Sequence, residues 1–424
     1  MRKIITDKIK RDIEPLKSLL ELINGGVQSI DARGLTSAAR SLLAALLFER
    51  LENFLMIICP EEKDALACTA DLSLFLNEED VLYYPPLDFL AIDMFALQKE
   101  EALARLAVMT DLQIKTKGVI VTCAAAVMQK VMPFTEFQRY LQIISCGDLL
   151  NRERFCEHLA AGGYRRVSLV EEKGEFSVRG SILDVFPPAE KDPLRLEMSG
   201  DEIESIRKFD PTSQRSTGRA DAFVVAPANE IVMNSQTLEL AVRNIKRRAD
   251  SLSLPREIRS RLVETLQNGL AESINPIFLP LFYEVYDETG SFSKNELSGF
   301  FDYLPRNTLA VLNDPLAIRR AVLSMENNID KLLFKAANTN KFHLDKKSAY
   351  INPVIIQASL TKLPRLNLEG LVLDEDKERT APAVRFETYK DIFAVQPSQG
   401  EIKEDALFRQ TVGKIKLYFC NFRF

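Results

Sequence analysis

Histidine is scarce in this chain, and its cysteines are not spaced like metal ligands. The two histidines, His158 and His343, lie far apart and have no neighbouring cluster of cysteine or carboxylate residues. This scarcity argues against a histidine-centred metal site and against a histidine-based catalytic triad. The six cysteines are scattered and lie mostly in apolar runs, so we expect buried, reduced thiols. The sequence therefore predicts no metal and no other cofactor.

Long apolar runs are also missing. No apolar run reaches the length that a membrane-spanning helix needs. The opening residues MRKIITDKIKRDIEPLK lack the apolar core of a signal peptide. These absences predict a cytoplasmic protein with no membrane partner.

Positive charge is not in excess, because 55 lysine and arginine residues are outnumbered by 60 aspartate and glutamate residues and the net charge is -5. This balance argues against a nucleic-acid binder that relies on a positive field over its whole surface. One local basic cluster, in TLELAVRNIKRRADSL, comprises Arg243, Lys246, Arg247 and Arg248. The cluster is compatible with a contact to phosphate groups or, more commonly, with the solvent-exposed face of a helix.

The chain does contain ample apolar material for several domains. Hydrophobic residues make up 46% of its 424 residues. That length exceeds one compact core and favours roughly two to four domains. Over residues 1–125, an opening amphipathic helix is followed by apolar strands such as FLMIIC, VLYYP and GVIVTC, which alternate with helices. This alternation predicts an α/β fold with a parallel sheet and right-handed crossovers.

The stretch 163–216 has the pattern of an antiparallel ribbon. Apolar residues recur from Phe176 to Phe186, which predicts one long strand with a buried face and with Arg179 on the opposite face. After a Pro-Pro stop, the alternating run LRLEMS and the turn residues SGD predict a hairpin. The predicted ribbon has a charged outer face.

Three sequence segments in this stretch resemble a family signature: GEFSVRGSILDVFPP, GDEIESIRKFDP and TSQRS. They are similar to the small domain shared by the excision-repair protein UvrB and the bacterial transcription-repair coupling factor (Mfd), over about fifty residues almost without gaps. In both relatives this domain binds the damage-recognition protein UvrA. The resemblance therefore implies UvrA as a partner and a UvrB-like fold with a RecA-like parallel sheet.

The resemblance divides the chain into four parts. These are 1–125, similar to UvrB domain 1a with a degenerate P-loop; 126–228, similar to the inserted, small α+β UvrA-binding domain 2; 229–345, similar to domain 1b and mostly helical; and 346–424, similar to a linker and a partial third domain. The last part is expected to be a small C-terminal α/β piece with a helix at 401–411 and a strand at 415–419. The polymerase-binding domain and the translocase motor of the family are expected to be absent.

The loop after the first strand of the α/β unit is where a phosphate-binding loop is expected. Such a loop has the pattern G-x-x-x-x-G-K-[ST], in which glycines let backbone amides surround phosphates and the lysine reaches the outer ones. The aligned residues GLTSAARS start at Gly34 but have Ala39 and Arg40 in place of the second glycine and the lysine, before Ser41. This change predicts a phosphate loop that has lost its ligand. The alternative is a plain helix start with Ser or Thr capping.

The metal-binding end of such a site is altered as well. The segment FFDYLPRNTLAVLNDPLAIRR resembles the UvrB strand that ends in Asp-Glu, the pair that holds magnesium and activates water in P-loop ATPases. Here Asp314 lies between Asn313 and Pro315, so the adjacent acidic pair is absent from this sequence. The two changes together predict that this segment is not an enzyme.

We therefore predict a non-catalytic adaptor of transcription-coupled nucleotide excision repair that binds UvrA. The resemblance implies that RNA polymerase is contacted only through domains absent from this chain, and that DNA is contacted weakly or indirectly. Two other functions stay open. One is a cryptic ATPase or helicase fragment, and the other is a sequence-independent DNA-binding module that uses the basic cluster.

Arginines of the ribbon are the predicted UvrA contacts, because a guanidinium binds carboxylates through two hydrogen bonds and interfaces favour arginine and aromatic anchors. The predicted set is Arg165, Arg166, Arg179 and Arg207, with Phe176 and Phe186 as supporting or exposed aromatics. Both phenylalanines are also compatible with core positions, since they lie on the apolar phase of the strand. Arg207 is also compatible with a surface ion pair to Glu204 or Asp210.

Overall fold

The computed structural model describes residues 14–35, 37–88, 94–95, 99–268, 274–286, 297–370 and 381–386. Three predicted elements lie wholly or mostly outside these residues: the first half of the opening amphipathic helix, the helix at 401–411 and the strand at 415–419. Thr36, in the loop after the first strand, and Cys420 lie outside them as well.

An α/β body forms the first part of the described chain. Its elements are α1 (Glu14–Asn24), β1 (Ser29–Arg33), α2 (Ser37–Arg50), β2 (Phe54–Cys59), α3 (Glu62–Leu72), β3 (Val81–Tyr83), α4 (Lys99–Ile114), β4 (Gly118–Cys123), α5 (Ala124–Val127) and β5 (Lys130–Val131). Strands β2 and β4 are the runs FLMIIC and GVIVTC, and every residue in both is buried. Continuous burial of this kind is typical of interior strands in a parallel sheet.

A small unit with its own core follows. Its elements are α6 (Phe134–Tyr140), β6 (Gln142–Ser145), α7 (Arg152–Ala161), β7 (Arg165–Arg166), β8 (Glu175–Arg179), β9 (Ile182–Phe186), β10 (Leu194–Ser199), β11 (Glu202–Phe209), β12 (Ser216–Ala220) and β13 (Ala222–Val225). Six strands form a sheet in the order β12-β11-β10-β9-β8-β7. Its neighbours are antiparallel except for β7 and β8. One face packs on Phe155 and Leu159 of α7.

The rest of the described chain is mainly helical. Its elements are α8 (Ser235–Ser251), α9 (Arg256–Gln267), α10 (Pro280–Tyr283), β14 (Ser298–Gly299), β15 (Leu309–Asn313), α11 (Pro315–Asn338), α12 (Lys346–Ala349), α13 (Pro353–Thr361), β16 (Arg365–Glu369) and β17 (Ala383–Arg385). Among the residues that the structure describes, no helix is both long enough and apolar enough to cross a membrane.

A seven-stranded parallel sheet joins distant parts of the chain. Its order is β17-β1-β16-β15-β2-β4-β3, with every neighbouring pair parallel. Residues 346–424 are predicted to form a separate piece, yet β16 lies between β1 and β15. The physical reason is burial, because Leu366 and Leu368 of β16 are 0% and 1% exposed in the core of the large sheet. The predicted α/β class, with a parallel sheet and an inserted antiparallel unit, is confirmed.

The ribbon differs from its prediction at one turn. The single strand predicted from Phe176 to Phe186 is two strands, β8 and β9, joined at Gly180, whose φ is 61°. Glycine adopts this left-handed conformation without a steric penalty and so permits a two-residue turn. Arg179 pairs with Ile182 across the turn, which changes the phase of the alternation. Phe186 therefore lies on the face opposite to Phe176.

Candidate functional site

The outer face of the six-stranded sheet carries two of the six predicted contact residues, Arg179 and Arg207. Arg195 pairs across strands with Asp184 on one side and with Arg207 on the other, and Arg207 pairs with Arg219. Paired residues lie on the same face of a sheet, so these side chains form one charged surface. We call this surface the outer face, defined by Arg179, Ile182, Asp184, Arg195, Glu197, Ser205, Arg207 and Arg219.

Asp184 is the buried anchor of the outer face. Its fully buried carboxylate accepts hydrogen bonds from Arg179 Nη2 at 2.6 Å and from Arg195 Nε and Nη2 at 2.8 and 2.9 Å. The bidentate pair raises the pKa of Arg195, whose guanidinium also lies 4.5 Å from the centre of the Phe209 ring. One carboxylate therefore holds guanidinium groups of β8 and β10 in fixed positions.

Arg207 is bound within the sheet by Glu197, rather than by Glu204 or Asp210. Its Nη2 lies 3.0 Å from Glu197 Oε2, and the hydroxyl of Ser205 donates to the same oxygen at 2.7 Å. Asp210 instead accepts a backbone N–H in the turn after β11. Because 38% of the Arg207 side chain is exposed, this pair lies at the surface of the outer face.

The edge of the sheet carries the other two predicted arginines. Arg165 forms an ion pair with Glu175 of β8, and the same carboxylate accepts the backbone N–H groups of Glu171 and Glu172 at 2.9 Å each. Burial raises the pKa of Glu175, but these N–H groups and Arg165 together outweigh burial and hold the pKa below its usual value. Arg166 is exposed.

Both phenylalanines of the predicted contact set are buried. Phe176 is 1% exposed in the core beneath the sheet, and Phe186 is 6% exposed in a small cluster with Val170 and Phe209. Burial leaves neither ring a surface that a partner could touch in this structure. The two rings therefore pack on opposite faces of the sheet, in separate clusters.

Two arginines of the outer face were missed by the sequence reasoning. The alternation of Arg195 with Leu194 and Leu196 is a usable signal, because it places Arg195 opposite the core. Arg219 lies in STGRA, an exposed edge strand without apolar alternation, so no sequence pattern marks its position.

The loop between β1 and α2, where a phosphate loop is expected, is closed by other parts of the chain. The N–H of Gly34 donates to the carbonyls of Glu369 and Gly370 at 3.1 and 2.9 Å. Gly34 has a φ of 87°, and a Cβ at this position would collide with the carbonyl oxygen of Phe386. Only glycine is therefore tolerated there, for close packing of the backbone.

The two altered positions of the predicted nucleotide site meet in the structure. Arg40 Nη1 donates to Asn313 Oδ1 at 2.6 Å, and Arg40 Nε donates to the carbonyl of Leu35 at 3.1 Å. Burial lowers the pKa of Arg40, and nearby Asp314 opposes this shift. The guanidinium therefore links the loop after β1 to the end of β15.

The remaining residues of the predicted degenerate site make contacts within the fold. Ala39 is 5% exposed in the core. The hydroxyl of Ser41 donates to Asp71 of α3 at 3.2 Å. Asp314 is the N-cap of α11 and accepts the N–H of Ala317 at 3.0 Å. The oxygens of Ser41 and Asp314 are thus engaged by helices of the α/β body.

The basic cluster lies on α8 and partly faces inward. Arg248 is 9% exposed and donates to the carbonyl of His343 at 2.9 Å, and Arg247 donates to the carbonyl of Tyr286 at 2.7 Å. Arg243 and Lys246 are exposed. Two of the four cations therefore bind the backbone of this chain, which weakens the case for a phosphate-binding patch.

Residues 143–231 match the family model described as the UvrB interaction domain. This stretch contains the whole six-stranded sheet and therefore every residue of the outer face. The α/β body that precedes it and the helical part that follows it lie outside this match.

The chain is also similar to curated proteins over longer stretches. It is 30% identical over 333 residues to the transcription-repair-coupling factor of Myxococcus xanthus, covering 76% of this chain and 27% of that protein. It is 29% identical over 277 residues to the transcription-repair-coupling factor of Escherichia coli, covering 65% and 23%. It is 25% identical over 244 residues to the UvrABC system protein B of Thermosipho africanus, covering 55% and 37%. The chain thus spans about a quarter of the length of these coupling factors.

Proposed function

We propose that this chain, similar over about three quarters of its length to transcription-repair-coupling factors, is a non-catalytic docking module that binds UvrA in transcription-coupled nucleotide excision repair. The observation that carries the proposal is the position of the outer face. It lies within the stretch that matches the UvrB interaction domain, and it presents arginines to solvent. In this proposal UvrA is recruited to damaged DNA through that face.

The outer face is suited to bind carboxylates of a partner. Asp184 accepts one N–H of Arg179, a guanidinium carries five N–H donors, and 45% of the Arg179 side chain is exposed. The remaining donors are available to a bidentate acceptor. Because the bond to Asp184 already restricts the side chain, binding loses less rotamer freedom than it would with an unanchored arginine.

The α/β body supports this face in the proposal and hydrolyses no nucleotide. The contact between Arg40 and Asn313, and the role of Asp314 as a helix cap, both support a scaffold. The proposed units remain 1–125, 126–228, 229–345 and 346–424. The last unit then contributes β16 and β17 to the sheet of the first.

Exchanging Arg179 for glutamine tests the proposal. Reversal to glutamate would place a second carboxylate beside the buried Asp184, so the neutral variant separates docking from folding. We expect Arg179→Gln to weaken UvrA binding about tenfold or more, because an interface arginine at a hot spot contributes roughly 2 kcal/mol. Titration of the variant with UvrA gives the Kd.

Arg139→Gln is the matched control. Arg139 is also exposed, at 71%, and also pairs with a carboxylate, Glu136, but it lies on α6 and not on the sheet. Its Kd for UvrA should equal that of the wild type. If Arg179→Gln keeps the wild-type unfolding curve and also keeps the wild-type Kd, the UvrA contact lies elsewhere and the proposal for the outer face fails.

A further inference from the structure

The guanidinium of Arg40 lies among acceptors and negative charges. It donates to Leu35 and Asn313, and the carboxylates of Asp314 and Glu369 act on it through space. A phosphate cradle has the opposite polarity, because it presents N–H donors and a lysine to an anion. The acceptors at the carboxyl ends of β1 and β15 therefore suit a cationic donor better than an anion, while burial lowers the pKa of Arg40.

The first backbone donors that a phosphate cradle would use are engaged within the chain. The N–H of Gly34 is bonded to the carbonyls of Glu369 and Gly370, and the N–H of Leu35 points to the carbonyl of Glu369 at 3.4 Å. These bonds also bring carbonyl oxygens toward the loop. Replacing Arg40 with a small residue would expose the acceptors that it now binds, the carbonyl of Leu35 and the amide oxygen of Asn313.

We infer that the carboxyl ends of β1, β16 and β15 form a cation-binding site that prefers a guanidinium group, which we call the cation cradle. The side chain of Arg40 occupies this site. The cradle is defined by the two acceptors that bind Arg40, the carbonyl of Leu35 and the amide oxygen of Asn313. The carboxylates of Asp314 and Glu369 lie nearby, where Asp314 caps α11 and Glu369 pairs with Arg33. The two hydrogen-bonding acceptors lie in different directions, which suits a planar, forked donor better than the compact ammonium of lysine. The inference rests on the proposal that these strand ends hold no nucleotide, and it adds the ligand chemistry of the site.

The cradle connects three segments that are distant in sequence. Leu35 follows β1 and Asn313 ends β15, while a Cβ added at Gly370, after β16, would lie 3.3 Å from Arg40 Nη2. The guanidinium thus binds the ends of two strands, β1 and β15, and lies beside the end of β16 between them. In an intact P-loop protein a nucleotide lies beside these strand ends. In this chain the guanidinium of Arg40 links them.

Arg40→Ala in the full chain tests the cradle, with the free guanidinium ion as the probe. We expect the Tm of the variant to fall by several degrees, because the acceptors at Leu35 and Asn313 lose their donor. Guanidinium chloride at about 5–20 mM should then raise the Tm of Arg40→Ala and leave that of the wild type unchanged, since a ligand of the folded state alone stabilises it. Sodium chloride at equal ionic strength is the reference.

Three further variants make the test specific. Arg40→Lys keeps the charge without the fork, so its Tm should be intermediate and its response to guanidinium smaller. Asn313→Ala combined with Arg40→Ala removes an acceptor and should reduce the response severalfold. Arg256→Ala removes an exposed arginine at the start of α9 and should show no response.

Two results would overturn the inference. One is an equal response to guanidinium in Arg40→Ala and in the wild type. The other is a Tm rise of Arg40→Ala with magnesium-ATP but not with guanidinium, which would reveal a blocked nucleotide site. If Arg40→Ala does not fold, the Tm responses of Arg40→Lys and Asn313→Ala to guanidinium are compared with that of the wild type instead.

UvrA binding is measured on the same samples and should match the wild type. A failed cradle and a failed docking face therefore give different results.

Discussion

Arg40 and Arg179 carry the same chemical group in two regions of the molecule and use it differently. Arg40 is partly buried at the carboxyl ends of interior strands of the large sheet and donates to Leu35 and Asn313. Arg179 lies on the outer face of the small sheet, donates to Asp184 and is 45% exposed. The first guanidinium bridges segments of one chain, whereas the second is bound on one side and open to solvent on the other.

The difference follows from what surrounds each arginine. At the large sheet, acceptors come from the loop after β1 and from the end of β15, so the guanidinium is engaged on both sides. On the outer face, Arg179 donates to the buried Asp184, and Arg195 donates to both Asp184 and Gln214. An arginine that is anchored but not saturated is suited to a partner, because its position is fixed and donors remain. An arginine that binds two segments of the chain, as Arg40 does, is suited to stabilise a fold.

Removing the carboxylate of Asp184 should have the largest effect on stability, because it anchors the arginines of the outer face. Asp184→Ala would leave Arg179 and Arg195 without their shared acceptor and would open a space in the sheet. We expect the free energy of unfolding to fall by about 2–4 kcal/mol, since removing one partner of a buried pair leaves the other uncompensated. The exposure of Arg179 keeps the expected value below the upper limit for a fully buried pair. Urea unfolding followed by circular dichroism measures the change.

The control for Asp184→Ala is a carboxylate outside the outer face. Asp201 lies in the exposed turn between β10 and β11, and Asp201→Ala should change the free energy of unfolding by less than about 0.5 kcal/mol. Asp184→Asn keeps the volume and one acceptor, so it should lie between the wild type and the alanine variant. A loss below about 1 kcal/mol for Asp184→Ala would show that this carboxylate is not the anchor.

The core of the fold could be predicted from the sequence because apolar runs determine it. FLMIIC and GVIVTC predicted two strands of a parallel sheet, and both form strands that are completely buried. The phase of Phe186 could not be predicted in the same way. The turn at Gly180 depends on a left-handed backbone conformation, and alternation read through VRGSIL does not show where the chain reverses. One missed turn therefore moved Phe186 to the wrong face.

The contacts of the candidate sites depend on strand order and register, which the sequence does not display. Arg40 and Asn313 were predicted as two changed positions, but they are 273 residues apart and meet only because β16 and β15 follow β1 in the sheet. The pair of Arg207 with Glu197 likewise depends on the register between β10 and β11. Local charge spacing favoured partners closer in sequence.

Acid titration of Glu175, the partner of Arg165 at the edge of the small sheet, should change the stability less than removal of Asp184 does. Because the folded state holds the pKa of Glu175 below its ordinary value of 4.5, the stabilisation is fully present above that value and is lost as pH falls through the lower, folded-state pKa. We expect the difference in the free energy of unfolding between wild type and Glu175→Gln to shrink from about pH 5 to pH 3. Burial raises the pKa values of Asp111 and Glu190, which act in the opposite sense but are common to both proteins. A difference that is constant over this range would contradict the assignment.

Arg166 should give the smallest effect, and it separates the edge of the sheet from the outer face. It is exposed on β7, whereas its neighbour Arg165 forms the ion pair with Glu175. Arg166→Ala should therefore change the free energy of unfolding by less than about 0.5 kcal/mol. Its Kd for UvrA, measured beside Arg179→Gln, should rise by about threefold or less, because a charge at the rim of an interface acts mainly on the association rate and is screened by salt. An increase as large as that for Arg179→Gln would place the strongest contact at the sheet edge, and the difference in anchoring and exposure between Arg179 and Arg40 would no longer explain docking.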